Sequence, residues 1–343
     1  MREGYRCYLL TPGGARLGAL PLVSGSLDWA DGRAVAGSGQ VVLQDPDEGV
    51  SWLSHRVAVE YARDVGAGVE TYPLGEWVVS SASTTRTVAG RTVTLDLLDK
   101  TTLLQQQTVA SSIGWPAGYV VTGAVRDLIG QAGGVRLSVT DSDEELRTAM
   151  SWSYDAGEDV TLLGVANELL GVIGYSALSV TRGGVWKAAP YVLPENRPVR
   201  GSFADGGYVP ELTEEVDLHG IVNRVVVRSA STADTPGLVG VAEDHTAPFG
   251  FEARGQWIEA VYDEEVTSQQ VADELAGRRL QEARRVVSSV EVQHPFLDVE
   301  LGDAVLGPGG EHCVVANQRI SLQVGALWTS RLRRFVDAAQ IVG

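Results

Sequence analysis

The chain has no stretch approaching the ~20 uninterrupted apolar residues that span a bilayer. Its first residues, Met1 to Tyr8, carry no apolar core behind their charges, so export by a signal peptide is not expected. Positive charge is scarce. The sequence holds 27 Lys and Arg against 44 Asp and Glu, a net charge of −17 over 343 residues. Gripping a phosphate backbone needs clustered basic residues, so this balance argues against a nucleic-acid-binding protein. Only Lys100 and Lys187 are lysine. That bias points to a GC-rich coding sequence and not to a mechanism. Two cysteines, Cys7 and Cys313, lie at opposite ends and form neither a metal knuckle nor a Cys-x-x-Cys redox pair. They could meet in space as one bridge; two separate buried thiols of a reducing cytosol are the plainer reading.

Catalytic signatures are missing too. The five histidines, His55, His219, His245, His294 and His312, include no His-Glu-x-x-His pair that would place two zinc ligands on one helical face. There is no nucleophile elbow, no phosphate-binding loop ending in Lys and Ser or Thr, and no Rossmann fingerprint. Asp141, Asp143, Glu144 and Glu145 resemble the start of a calcium loop, but Leu146 occupies the position of its required glycine. They read as a solvated acidic turn. Three further acidic runs stand out: Glu211, Glu214, Glu215 and Asp217; Asp263, Glu264 and Glu265; Asp298, Glu300 and Asp303. Two carboxylates ~5–10 Å apart across a cleft could hydrolyse a glycoside. With so many acids in the chain, solvated or interface carboxylates are the plainer reading. Eight scattered tryptophans could line a sugar cleft, but their strand-like contexts favour core or interface.

What is present is pattern. Hydrophobic residues make up 44% and charged residues 21%, a globular composition, and the length predicts two or three domains. Residues 1–105 read as short strands at 6–10, 41–43, 57–61, 76–80 and 92–97, separated by Gly, Pro and Asp clusters. At 92–97, Val93, Leu95 and Leu97 share one face, the mark of a half-buried strand. Residues 106–205 read as an α/β region. Thr122 is placed to cap a helix that Gly133 and Gly134 stop, and a buried helix follows over 159–173 and ends at Gly174. A strand at 175–181, a turn at 182–184, a strand at 185–189 and a proline-rich connector at 190–198 complete it. Residues 206–343 return to strands at 223–229, 255–262, 288–293, 304–306, 313–317 and 328–335. A long helix over 267–287 interrupts them, opened by Thr267 and Gln270 as a capping box.

The order of these patterns resembles bacteriophage tail hub proteins, also called tail-associated or baseplate hub-like proteins. The residues that carry the resemblance are Pro73, Leu74, Gly75 and Trp77; Asp96 and Asp99; the helix ending at Leu169, Leu170 and Gly174; Asn223, Val225 and Val227; and Pro295, Leu297, Gly302, Asp303 and Val305. It spans roughly residues 70–307. The resemblance implies an α+β, mainly β fold in which two antiparallel tube-like β-barrels, 1–105 and 206–343, flank a smaller α/β domain, 106–205. It further implies the hub core alone, a homotrimer whose six barrels form a pseudo-sixfold ring at the virion tail tip, assembled in the host cytoplasm. A tail tube or distal tail protein sits above such a ring, and tip or fibre proteins sit below it. DNA passes only in transit, and no catalytic residue, metal or cofactor is implied. The acidic balance adds an expectation: Glu211, Glu214, Glu215, Asp217, Asp263, Glu264, Glu265, Asp298, Glu300 and Asp303 are candidates to line the channel and repel the duplex. The rival reading is a tail-tip carbohydrate-active enzyme or sugar-binding module acting on the host cell wall. A third is a hexameric distal-tail ring.

Overall fold

The computed structural model describes residues 3–47, 49–88, 90–146, 153–155, 160–204, 211–213, 221–231, 237–246, 249–264, 266, 268–283 and 285–337. Seven strands fill the first hundred residues: β1 (Glu3–Leu10), β2 (Arg16–Leu20), β3 (Leu22–Ala30), β4 (Gly37–Gln44), β5 (Arg56–Asp64), β6 (Val69–Thr87) and β7 (Gly90–Asp99). The five expected strands fall inside β1, β4, β5, β6 and β7. β2 and β3 have few β-branched residues and are split by Pro21, so composition did not mark them. In β7, Val93, Leu95 and Leu97 are buried and the alternate residues are not, as the pattern predicts.

The middle of the chain runs α1 (Thr102–Gln105), β8 (Ile113–Gly114), α2 (Val121–Gln131), β9 (Leu137–Val139), β10 (Ser153–Tyr154), α3 (Leu162–Val172), β11 (Ser179–Val180), β12 (Trp186–Ala188) and β13 (Val199–Ser202). Leu128, Ile129, Leu163, Leu169 and Trp186 belong to one buried cluster here. Gly133 and Gly174 adopt φ of +69° after the helices they stop. Three expectations shift. Val120, not Thr122, is the N-cap of α2; Thr122 is buried within the helix. The Thr161 hydroxyl caps α3 by accepting the Gly164 N–H at 3.1 Å. The strand expected at 175–181 shrinks to β11, because the backbone of Tyr175 and Ser176 bonds locally to Leu170 and Ala189.

The last third holds β14 (Glu211–Thr213), β15 (Arg224–Arg228), β16 (Val239–Glu243), α4 (Phe251–Arg254), β17 (Glu259–Asp263), α5 (Gln269–Ala283), β18 (Arg285–His294), β19 (Ala304–Leu306), β20 (His312–Ser321) and β21 (Trp328–Asp337). Two expectations are corrected. The strand expected at 255–262 is β17, preceded by the short helix α4 and by Gly255 in a left-handed conformation. The long helix ends at Ala283 and not at 287. Val286, Val287, Val290 and Val292 continue as a β-branched strand that pairs with β21 at ten successive positions, and that ladder overrides helical spacing. Thr267 lies outside the described residues; the Ser268 hydroxyl accepts the Val271 N–H at 3.2 Å in the first turn.

One mainly antiparallel sheet unites both ends of the chain in the order β14-β18-β21-β20-β3-β4-β7-β6-β5-β1-β2, with β13 and β19 beside it. β20 is the seam. Along one edge its first half pairs with β19 and its second half pairs with β3, while β21 covers the other edge. Ten residues at ~3.4 Å each give the length to serve two neighbours. Among the described residues the strand path is open. A separate sheet, β16-β15-β17, is covered on one face by α5, where Val225 and Val227 meet Ala272, Leu275, Ala276 and Leu280. Close approach requires Gly240, since a Cβ there would enter the Ala272 carbonyl. The class is therefore α+β and mainly β.

Cys7 and Cys313 are free and buried in different clusters. Burial pushes both thiols up to about 12. The thiolate is the reactive form, so the folded chain should resist thiol reagents at mildly alkaline pH. Labelling with a chromogenic disulfide should count no fast thiol in the native protein and two after denaturation. One fast native thiol would contradict the burial.

Candidate functional site

The residues that carry the sequence pattern sit at junctions between parts of the fold. Gly75 has φ +130°, and a Cβ there would lie 2.6 Å from the Trp77 ring, so only glycine lets that ring fold back under the strand. Leu74 and Trp77 are fully buried beside it. Glu76, between them, points towards the middle region. Its carboxylate pairs with Lys100 Nζ at 3.3 Å and with Arg136. Lys100 Nζ also donates to the Gly184 carbonyl at 2.8 Å, and Arg136 Nη1 to the Gly183 carbonyl at 2.9 Å. Arg56, also buried, lies in the same field. Burial is the main cause pulling the Lys100 and Arg56 cations below their ordinary values, with Glu76 opposing. One buried acid thus anchors the first sheet to the β11–β12 turn. Sequence reasoning did not find this cluster, although a lysine kept in an arginine-rich chain was the available signal.

Asn223 organises the second junction. Its Nδ2 donates to the carbonyls of Phe249 and Gln256 at 3.1 and 3.0 Å, and its Oδ1 accepts the Ile258 N–H at 2.7 Å. The side chain is fully buried. It ties the start of β15 to the segment that leads into β17.

The third junction is the seam. Arg182, in the β11–β12 turn, is 6% exposed. Its guanidinium lies 5.0 Å from the Trp29 ring centroid and 5.8 Å from that of Trp328. It donates to Gln318 Oε1, and its Nη1 is buried without a hydrogen-bond partner. Gln318 Nε2 donates to Ser330 Oγ at 3.2 Å, and Ser330 lies 2.8 Å from His294 Nε2. His294 Nδ1 is 2.6 Å from the Pro295 carbonyl, which can only accept, so Nδ1 carries the proton. Ser330 and His294 have the spacing of a nucleophile and its base. Both are sealed, at 0% and 1% exposure, and offer no surface to a substrate. Nearby, Phe296 stacks on Tyr61 at 4.5 Å, and Gly302, at φ +83°, turns the chain into β19.

The candidate acids fall in separate places. Asp298, Glu300 and Asp303 surround Arg182 and supply its negative field. Burial raises the Glu300 carboxyl, with Arg182 opposing. Asp303 Oδ2 accepts the Glu300 N–H at 2.8 Å. Asp263 is exposed and paired with Arg228, whose hydrogen bonds hold its carboxyl below the usual range. Glu264 is 3.0 Å from Arg279. These two ion pairs line a cleft of about 710 Å³ against Asn167, Glu168 and Val172 of α3. Asp263 and Glu264 are thus each paired with an arginine, and Glu168 in the same cleft accepts the Tyr154 hydroxyl at 2.5 Å. The Glu211 backbone lies on the edge strand β14, across from Glu291. Glu214, Glu215, Asp217 and Glu265 lie outside the described residues, as does His219. Among the described residues no cluster of His, Cys, Asp and Glu could hold a metal ion, and no helix is long and apolar enough to cross a membrane.

The fold is similar to those of solved phage tail proteins and of a type VI secretion component. It aligns along 97% of its length with 97% of a tail protein from Neisseria meningitidis MC58, at 15% identity and a TM-score of 0.64. The prophage tail protein gp18 from Listeria monocytogenes matches 98% of the chain over 96% of its own, at 13% identity and a TM-score of 0.57. An E. coli type VI secretion component, described as structurally similar to bacteriophage T4 tail proteins, covers 93% of this chain and 74% of its own, at 9% identity and a TM-score of 0.52. No protein-family model matches the sequence, and no curated protein matches it significantly. The resemblance to tail hub proteins carried by the motif residues is therefore met by the fold.

Proposed function

We propose that this chain is a structural hub of a phage-like tail tip, a homotrimeric ring that joins the sixfold tail tube to threefold tip proteins and passes DNA through its centre. The observation that carries the reading is the end-to-end fold match to a tail protein with almost nothing left over on either side. The junctions support it. Buried ions, an amide lock and an arginine plug hold the parts of the chain in one geometry, as a load-transmitting ring requires, and the nucleophile–base pair is sealed. The net charge of −17 per chain, tripled in a ring, disfavours adhesion of the duplex. In the ring, some of Glu211, Glu214, Glu215, Asp217, Asp263, Glu264, Glu265, Asp298, Glu300 and Asp303 face the lumen. Single-particle imaging of the intact tail tests both statements. The expected result is threefold symmetry with an acidic channel wall. Sixfold symmetry would overturn the hub; a neutral or arginine-lined wall would overturn the repulsive conduit alone.

A further inference from the structure

The strand β6 is 19 residues long, and only part of it has two neighbours. β5 accompanies it from Val69 to Val78, whereas β7 follows it to Thr87. At Ser80 the ladder bulges, and the Ser80 hydroxyl donates to the Asp96 carbonyl at 3.1 Å. Beyond it, residues 81–85 pair with β7 on one side and, among the described residues, with no strand on the other. All five are exposed. Natural proteins guard such an edge with Lys, Pro or an inward-pointing charge, and Ser81, Ala82, Ser83, Thr84 and Thr85 supply none of these. We propose that this edge takes the same segment of a second copy of the chain, antiparallel about a two-fold axis at Ser83, so that the sheet continues from one chain into the other.

The two faces of the ribbon argue for this occupant. On one face Ser81, Ser83 and Thr85 lie beside Asp96, Thr94 and Thr92 of β7. That face is polar: the Asp96 carboxylate accepts from Gln40 Nε2 at 2.8 Å and from the Ser81 hydroxyl. On the other face Ala82 lies beside Leu95 and Val41, and Thr84 beside Val93 and Leu43. Those four apolar side chains are buried, while Ala82 and Thr84 are exposed. The core thus stops one strand short of the edge.

The centred register matches both faces at once. Ser83 faces its own copy, Ala82 faces Thr84, and Ser81 faces Thr85. The row Val41–Leu95–Ala82 then runs on into Thr84–Val93–Leu43 of the other chain and covers the exposed methyls. On the polar face a hydroxyl meets a hydroxyl at every position, the cross-strand pairing that Ser and Thr favour. Ser81 gives its proton to Asp96 and keeps lone pairs for the incoming Thr85 hydroxyl. A slip by one residue would set hydroxyls against the apolar row. The segment is also a neutral spot on an acidic chain: each copy carries −17, yet no charged residue lies between Ser80 and Thr85. A two-fold contact cannot close a threefold ring, so the pairing belongs to the unassembled chain and does not rest on the hub reading.

Sedimentation of the full chain should show a monomer–dimer equilibrium that tightens with added salt, which screens the repulsion between two acidic chains. Ser83→Lys sets two ammonium groups opposite each other on the axis and should weaken the dimer by about fivefold, whereas Ser83→Thr should not. Cysteine cross-linking reads the register, because Cys7 and Cys313 are buried. Under mild oxidation Ser83→Cys should link to its own copy. Ala82→Cys and Thr84→Cys, each about 7–8 Å from its own copy, should fail alone and link when mixed. A monomer at every accessible concentration, a dimer indifferent to Ser83→Lys, or cross-linking without this pattern overturns the proposal. A trimer in solution would overturn this pairing and leave the hub reading standing.

Discussion

Glu76→Gln should lower the unfolding free energy by about 3–5 kcal/mol, the usual cost of removing one partner from a buried ion pair. The cause is arithmetic of charge in a dry place. Lys100, Arg56 and Arg136 share this one acid, and the Lys100 and Glu76 side chains are only 5% and 10% exposed. Without the carboxylate, Lys100 keeps one carbonyl acceptor and sits among like charges. Arg136 is 41% exposed and can turn to water, so the penalty falls mainly on Lys100. A second variant separates charge from packing. Lys100→Met combined with Glu76→Leu removes the pair together, and similar replacements of buried pairs are often neutral. Urea unfolding followed by far-UV circular dichroism and tryptophan fluorescence reads both. A loss under about 1 kcal/mol for Glu76→Gln would show that water already reaches the cluster.

How much of this was legible in the sequence depends on range. Period-two alternation located β7, and Gly174 marked a helix end, because both are decided within a few neighbours. The helical face of Ala272, Leu275, Ala276 and Leu280 was legible for the same reason. The end of α5 was not. Residues 285–287 continue the helical spacing, and only the partner strand β21, some fifty residues later, makes them β. Nor was the sheet that joins β20 to β3, since nothing local says that residues 317–321 pair with 26–30. The motif residues were visible as a resemblance, yet their chemistry was not. Glu76 stood between Gly75 and Trp77 without its partners, which lie 24 and 60 positions away. Arg182 read as part of a turn, because a surface turn and a turn that drives its arginine into a seam have the same composition.

Asn223→Leu should be the most damaging neutral substitution in the chain. It keeps the branched skeleton, but its methyls are bulkier than the amide and cannot sit 2.7–3.1 Å from backbone atoms, so overpacking adds to the loss of hydrogen bonds. Three backbone groups lose their partner at once: the Ile258 N–H and the carbonyls of Phe249 and Gln256. Each buried group left unpaired costs about 1–3 kcal/mol, so a total of about 3–9 kcal/mol is expected if none finds water. Asn223→Asp sharpens the test. A carboxylate still accepts the Ile258 N–H but cannot donate, and it faces two carbonyl oxygens. Its penalty should therefore shrink as pH falls and the carboxyl regains one donor, whereas Asn223→Leu should show no such recovery. The effect should also be local. β15 pairs with β16 and β17, so hydrogen exchange in 224–228 and 259–263 should rise while β5 and β7 keep their protection. Uniform loss of protection across both sheets would mean that the β15 unit and the long sheet unfold together. Equal stability of Asn223→Asp and the wild type would mean that the two carbonyls have other donors, and that Asn223 is not the lock of this junction.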